Sequence, residues 1–210
     1  MSFLTFCAII VALFQEKIKN YFYKPKLKIE INVKPPDCHL VKVADAYFFR
    51  MRIWNRGTVS AKNVEVIIGN LENDKHEKID MPQDNLLWSS YEKGTSTASS
   101  FPEMKERMYW PFIYPDTYQF CNLGFVRKPT KDNTLAKFEL QVYWPSPNSL
   151  HILKHGVYYF DITIGCENGK AITNRFRMRI FKDVPDWDWE GKESKYLEEF
   201  EIQKIKSSKK

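Results

Sequence analysis

From residue 27 the chain alternates: Leu27, Ile29, Ile31 and Val33 are apolar, and Lys28, Glu30, Asn32 and Lys34 between them are polar. Alternation of period two sends successive side chains to opposite faces, so residues 27–33 are predicted to form a strand with one face in a core. Pro35 and Pro36 stop it, since proline has no N–H for a ladder. A second run, 47–54, puts Tyr47, Phe49, Met51 and Ile53 on one face and Arg50 and Arg52 on the other, and ends in the turn signal Asn55-Arg56-Gly57. Val64, Val66 and Ile68 mark a third strand. Further strands are predicted over 118–126, 136–144, 157–166 and 172–181. In the last of these Ile172, Phe176, Met178 and Ile180 face inward while Arg175, Arg177 and Arg179 face out.

Between the third strand and the later ones, residues 69–106 are polar and irregular except at Leu86, Leu87 and Trp88. So long a connection is unusual in a compact domain. It is predicted to hold a short edge strand near 86–90 and a mobile loop over 93–100. Seven or so strands with no convincing internal helix and no βαβ alternation define an all-β protein, an antiparallel β-sandwich of immunoglobulin-like character, with a closed barrel as the main alternative.

The N-terminus follows a different pattern. Residues 3–14 carry no charge, and Lys17, Lys19, Lys24, Lys26 and Lys28 follow them against Glu16 alone. A secretory signal would have its positive charge before the apolar run and small residues after it. The positive-inside rule instead places the lysine-rich flank, and the domain behind it, on the cytoplasmic side of a membrane. The run is shorter than the about 20 residues that span a bilayer. It is therefore read as a short anchor with snorkelling Lys and Tyr side chains, as an amphipathic helix in the headgroup plane through Ile18, Tyr21, Phe22 and Tyr23, or as a helix packed on the domain or on another subunit. Pro25 ends that helix. The organisation expected is a hydrophobic helix over 1–25 with membrane contact through 1–23, a sandwich over 26–182, and an acidic, then lysine-rich tail over 183–210 whose end frays and whose Trp187, Trp189 or Phe200 packs back on the domain.

A hydrophobic fraction of 43% and an aromatic fraction of 15% exclude a disordered chain. The net charge of +6 mildly favours anionic partners without choosing among them. Cys7, Cys38, Cys121 and Cys166 are scattered with no CxxC pair, and three of them fall in the folded part, which argues for a reducing compartment.

Two stretches carry a resemblance. The run Arg52-Ile53-Trp54-Asn55-Arg56-Gly57-Thr58-Val59-Ser60-Ala61-Lys62-Asn63-Val64-Glu65-Val66 resembles the strand, Asn-x-Gly turn and strand of CARDB-like immunoglobulin-like domains of bacteria and archaea. Leu153-Lys154-His155-Gly156-Val157-Tyr158 is similar to the Leu-x-x-Gly-x-Tyr entry into a late strand of such sandwiches. The resemblance implies a fold, a tyrosine corner at Tyr158, and an adhesion, spacer or binding role without shared catalytic residues. Many such domains are exported and repeated, whereas this one is single and expected to be cytoplasmic.

Candidate chemistry is sparse. His151 and His155 lie in a predicted loop with no Cys or carboxylate at ligand spacing, so no metal site is expected. Cys38-His39 is read as a loop pair rather than a nucleophile and its base. Asp183, Asp186, Asp188 and Glu190 lack the glycine and spacing of a calcium loop. No glycine-rich phosphate loop is present, so no cofactor is expected.

One cationic feature stands out. If the first and last strands were neighbours, Lys26 and Lys28 would join Arg175, Arg177 and Arg179 on one face able to contact an anionic surface, each cation adding about 1 kcal/mol near anionic lipid. The competing reading is a set of gatekeeping charges that keep strands soluble. Nucleic acid is not expected, because the aromatics alternate into the core rather than between the cations. The function expected is a non-enzymatic module at the cytoplasmic face of a membrane that binds a protein partner. The alternatives are an anionic-lipid-binding domain, or an enzyme whose site lies under the 69–106 segment.

Overall fold

The structure is a computed structural model that describes residues 23–41, 46–92, 103–127, 137–181 and 201–205, together with Gln15. Its strands, numbered in chain order, form two antiparallel sheets. The first contains β1 (Leu27–Ile31), β2 (Cys38–Val41), β3 (Ala46–Asn55), β6 (Trp88–Glu92), β7 (Glu103–Arg107), β9 (Thr117–Arg127), β10 (Phe138–Leu140) and β11 (Ile152–Leu153). The second contains β4 (Ala61–Glu72), β5 (Asp84–Asn85), β8 (Tyr109–Ile113), β12 (Gly156–Gly165), β13 (Ile172–Ile180) and β14 (Glu201–Ile205). The N-terminal helix, the membrane contact and the proposed loop over 93–100 lie outside the described residues, as do Trp187, Trp189 and Phe200. Among the described residues no helix is long and apolar enough to cross a membrane.

Alternation builds the core from both sheets. Ile29, Met51, Ile53 and Cys121 from the first join Val64, Val66, Ile68, Phe160, Ile162, Phe176 and Met178 from the second in one buried cluster. Each such side chain contributes about 1.5–3 kcal/mol on burial. Aromatic pairs reinforce it, Phe49 with Phe138 at 5.4 Å and Phe160 stacked on Phe176 at 5.9 Å.

Strands β1 and β2 run end to end along one side of β3, with register Leu27↔Asn55 to Ile31↔Met51 and then Cys38↔Phe49 to Val41↔Ala46. Cys38 and His39 therefore belong to a strand, not to the loop expected for them. The break between the two strands is held by Asp37, whose backbone carbonyl accepts from Arg50 N at 2.8 Å.

Three further expectations change. The 69–106 segment is less irregular than its composition suggests: β4 continues to Glu72, and β6 pairs with β7 from Trp88↔Arg107 to Glu92↔Glu103. Trp88 organises this region, being fully buried and 5.9 Å from the ring of Trp110. The strand predicted over 136–144 shortens to β10, and Val142 instead bridges to Leu86. Within the tail expected over 183–210, residues 201–205 form a strand that the pattern did not predict, β14, paired with β13 from Arg175↔Ile205 to Arg179↔Glu201.

The turn after β3 depends on close packing. Asn55 is fully buried: its amide donates to Val59 O at 2.7 Å and Ile113 O at 2.9 Å, and its Oδ1 accepts from Gly57 N at 3.0 Å and Lys26 N at 3.2 Å. A Cβ on Gly57 would run into the backbone of Lys24, Pro25 and Lys26. Glycine is required there because the start of β1 crosses it. At the far end of the molecule Tyr158 is half-buried with its ring beside Gly156, and burial raises its pKa.

Candidate functional site

The five cations singled out from the sequence divide between the two sheets. Lys26 precedes β1 and Lys28 lies on it, and β1 pairs with β3 in the first sheet. Arg175, Arg177 and Arg179 lie on β13 in the second, facing away from the core as their alternation predicts. Strands β1 and β13 touch between the two sheets but are not ladder neighbours, so the five cations do not share one sheet face.

Carboxylates neutralise much of the arginine face. Arg175 pairs with Glu72 at 2.5 Å and with Asp161 at 3.1 Å, and Asp161 also accepts from Asn70 at 2.8 Å. Arg177 pairs with Glu201 at 2.8 Å, a hydrogen bond that raises the guanidinium pKa further. Arg179 is exposed and lies over the ring of Phe181 at 4.7 Å. Arg175 and Arg177 are thus each paired with carboxylates across the sheet. His76 extends the network by stacking on Tyr159 at 4.5 Å and placing Nδ1 3.1 Å from Glu72. Burial pushes Glu72 up, but the hydrogen bonds from His76 and Arg175 outweigh it and hold the carboxyl below its ordinary range.

The outer face of the first sheet departs from the expectation that aromatics stay inside. Arg56 lies 3.7 Å over Trp54, Arg52 5.2 Å over Tyr118, Arg50 4.2 Å over Phe120 and Arg127 4.7 Å over Phe125. Trp54 and Tyr118 meet at 4.5 Å. Cations and aromatics do interleave here, but each ring already carries a guanidinium where a nucleobase would have to stack. Three of the guanidinium groups are in turn held by carboxylates, Arg52 by Asp37 and Glu30, Arg56 by Asp116 and Arg127 by Glu139, while Arg50 donates to Pro36 O at 2.6 Å.

Among the described residues none of the thiols is poised for chemistry. Cys38 and Cys121 are buried, and burial pushes both thiols up. Cys166, half-buried, is raised for the same reason. Burial lowers the pKa of His39, with nearby Arg50 adding to the effect. His151 contributes a backbone carbonyl to Leu140 N at 2.9 Å, and His155 is exposed. Among the described residues no group of His, Cys, Asp and Glu could hold a metal ion.

The feature sequence reasoning missed is an aromatic edge. Strand β8 pairs with β4 from Ala61↔Ile113 to Glu65↔Tyr109 and leaves Tyr109 and Phe112 about half exposed, with Tyr114 following at 63%. Strand β5 pairs further along β4, and Tyr143 N bonds Asn85 O at 2.9 Å while Trp144 N bonds Asp84 Oδ2 at 2.8 Å. Trp144 is 74% exposed. Asn85 also places its amide 3.8 Å from Met108 Sδ, tying the start of β8 to the Tyr143-Trp144 turn. Five of the six large hydrophobic side chains exposed among the described residues fall in these two joined segments. Beside Tyr109 an open cleft of about 570 Å³ is lined by Asn63, Glu65, Glu167 and Cys166. Asn63, at φ +47°, sits between the Lys62↔Phe112 and Val64↔Trp110 pairs, where the alternation along β8 breaks. The only sequence signal was the aromatic density of 109–114 itself.

No family model matches the chain, and no curated protein matches it. Among solved structures it is similar to an X-ray structure described as Northeast Structural Genomics Consortium target SoR45, at 13% identity and a TM-score of 0.26, covering 83% of this chain and 97% of that one. A likeness so slight bears on neither fold nor function.

Proposed function

We propose that this chain is a non-enzymatic interaction module: an immunoglobulin-like β-sandwich of the CARDB-like kind, tethered to the cytoplasmic face of a membrane through residues 1–23, that docks a protein partner on the edge formed by β8 and β5. The exposed group Tyr109, Phe112, Tyr114, Tyr143 and Trp144 carries this reading. Trp and Tyr dominate the energetic centres of protein interfaces, and exposed aromatics gathered on one edge of a monomer mark such surfaces. The half-buried Tyr158, with its ring beside Gly156, supports the immunoglobulin-like assignment, since a tyrosine after a Leu-x-x-Gly turn closes the corner of such sandwiches.

The lipid-binding alternative draws no support from Arg175 and Arg177, whose charge is spent on Glu72, Asp161 and Glu201. An enzyme would gather titratable groups with shifted pKa in a closed pocket, whereas the cleft beside Tyr109 is open and its thiol, Cys166, is raised by burial.

The test compares proteins crosslinked in cells to the wild-type chain with those crosslinked to Trp144→Ala and Tyr114→Ala variants of equal abundance. A partner lost from both variants and kept by Arg179→Ala is expected. Equal recovery from all three ends the proposal for this edge. Protease shaving of intact cells tests the orientation, and cleavage of the domain from outside would overturn it.

A further inference from the structure

At the opposite edge of the second sheet, β14 is seated on β13 in the manner of a bound peptide. It is five residues long, and among its side chains Ile202, opposite Met178, is the buried one. Gln203 and Lys204 are exposed, and the side-chain link to β13 is the Arg177–Glu201 pair at 2.8 Å. The 20 residues of 181–200 separate the two strands, so β14 is not the return arm of a tight hairpin.

Strand β13 does not depend on that neighbour for its place. It pairs with β12 along its whole length, from Gly156↔Ile180 to Ile164↔Ile172. Phe176, Met178 and Ile180 are anchored in the core, Phe176 against Phe160. The pairing with β12 and the core contacts thus hold β13 independently of its pairing with β14. The main-chain groups along the outer edge of β13 accept any extended segment, and side chains at alternate positions decide which one.

We propose that the outer edge of β13 is a strand-acceptor site for an extended peptide of a partner protein, with β14 as its attached competitor. The peptide it takes presents a carboxylate to Arg177 and, at the next position, an aliphatic side chain beside Met178. These are the roles of Glu201 and Ile202 in the resting chain. The site lies across the sheet from the aromatic edge and stands or falls separately from it.

The experiment uses the full chain and a fluorescent peptide copying residues 199–207, read by anisotropy. A covalently attached strand competes at an effective concentration on the order of 1 mM, so Ile202→Asp, which detaches it, is expected to strengthen peptide binding at least about tenfold over wild type. Adding Arg177→Glu to that chain is expected to lose the peptide and to regain binding to one carrying Arg in place of Glu201. Hydrogen exchange of wild type is expected to release the amides of β14 before those shared by β12 and β13. Four results overturn the proposal: no gain in Ile202→Asp, indifference to charge at residue 177, exchange of β14 as slow as that of β12, or loss of folding in Ile202→Asp, which would make β14 part of the core. A concentration-dependent dimer of wild type that Ile202→Asp abolishes also overturns it, because a second copy would then be the natural occupant.

Discussion

Nε of Arg52 lies 2.7 Å from Oδ1 of Asp37, a carboxylate with no solvent exposure at the break between β1 and β2. Asn32 adds a second bond to Asp37 at 3.1 Å, and Glu30 stands 3.8 Å from the same guanidinium. The two partners are not equivalent, because Arg52 keeps 20% of its side chain in solvent and has Glu30 in reserve. Arg52→Met strands a buried carboxylate and is expected to cost about 3 kcal/mol. Asp37→Asn leaves a guanidinium that can still reach water and is expected to cost about 1 kcal/mol. Urea unfolding of the two variants checks the order; equal costs would refute the asymmetry.

At the next turn along the chain, Gly57→Ala puts a methyl group into the backbone of residues 24–26 and forces the start of β1 away. A loss of about 2–3 kcal/mol is expected, as for overpacking elsewhere. Asn55→Ala, which leaves the carbonyls of Val59 and Ile113 without their donor, is expected to cost a similar amount. Lys75→Ala serves as the control at an exposed position, with less than about 0.5 kcal/mol expected. Thermal melts of the three proteins give the comparison.

The depressed carboxyl of Glu72 implies a pH dependence of defined sign. A folded pKa below the unfolded value contributes stability that is present above the ordinary carboxylate range and is lost as pH falls through the folded value. Wild type and Glu72→Gln should therefore differ near neutral pH, by about 0.5–1 kcal/mol for so exposed a pair. They should converge only once pH falls below the depressed folded value of Glu72, where both carry a neutral side chain. Unfolding midpoints across that range decide it, and a difference that persists in acid would remove the ion pair as its source.

Thiol accessibility should follow burial. With Cys38 and Cys121 buried and all three described thiols raised, alkylation of the native protein at neutral pH is expected at Cys166 first, and at Cys38 and Cys121 only after unfolding. Mass mapping after timed iodoacetamide exposure tests the order. Early modification of Cys38 would show that the β1–β2 break opens in the native state.

How legible the fold was depended on the range of the forces involved. Where one face of a strand is buried and the other wet, as in β1, β3 and β13, alternation revealed element and orientation together, and Met51, Ile53, Phe176 and Met178 are in the core as read. It was silent for β7 and β14, whose pairing needs the edge that a neighbouring strand offers. It flagged Trp88 as apolar but could not reveal that Trp110, from a distant segment, packs against it.

By itself the sequence determined an all-β domain, its strongest strands, the outward arginines of β13 and the lysine-rich flank before β1. Only the tertiary structure decided that Lys28 and Arg175 belong to different sheets, that Glu72, Asp161 and Glu201 pair with Arg175 and Arg177, and that Tyr109 and Trp144 share one edge. Hydrophobic alternation is a local property that each strand carries in its own residues. Strand order and charge pairing join residues far apart in the chain, and they exist only once the sheets have closed on their common core.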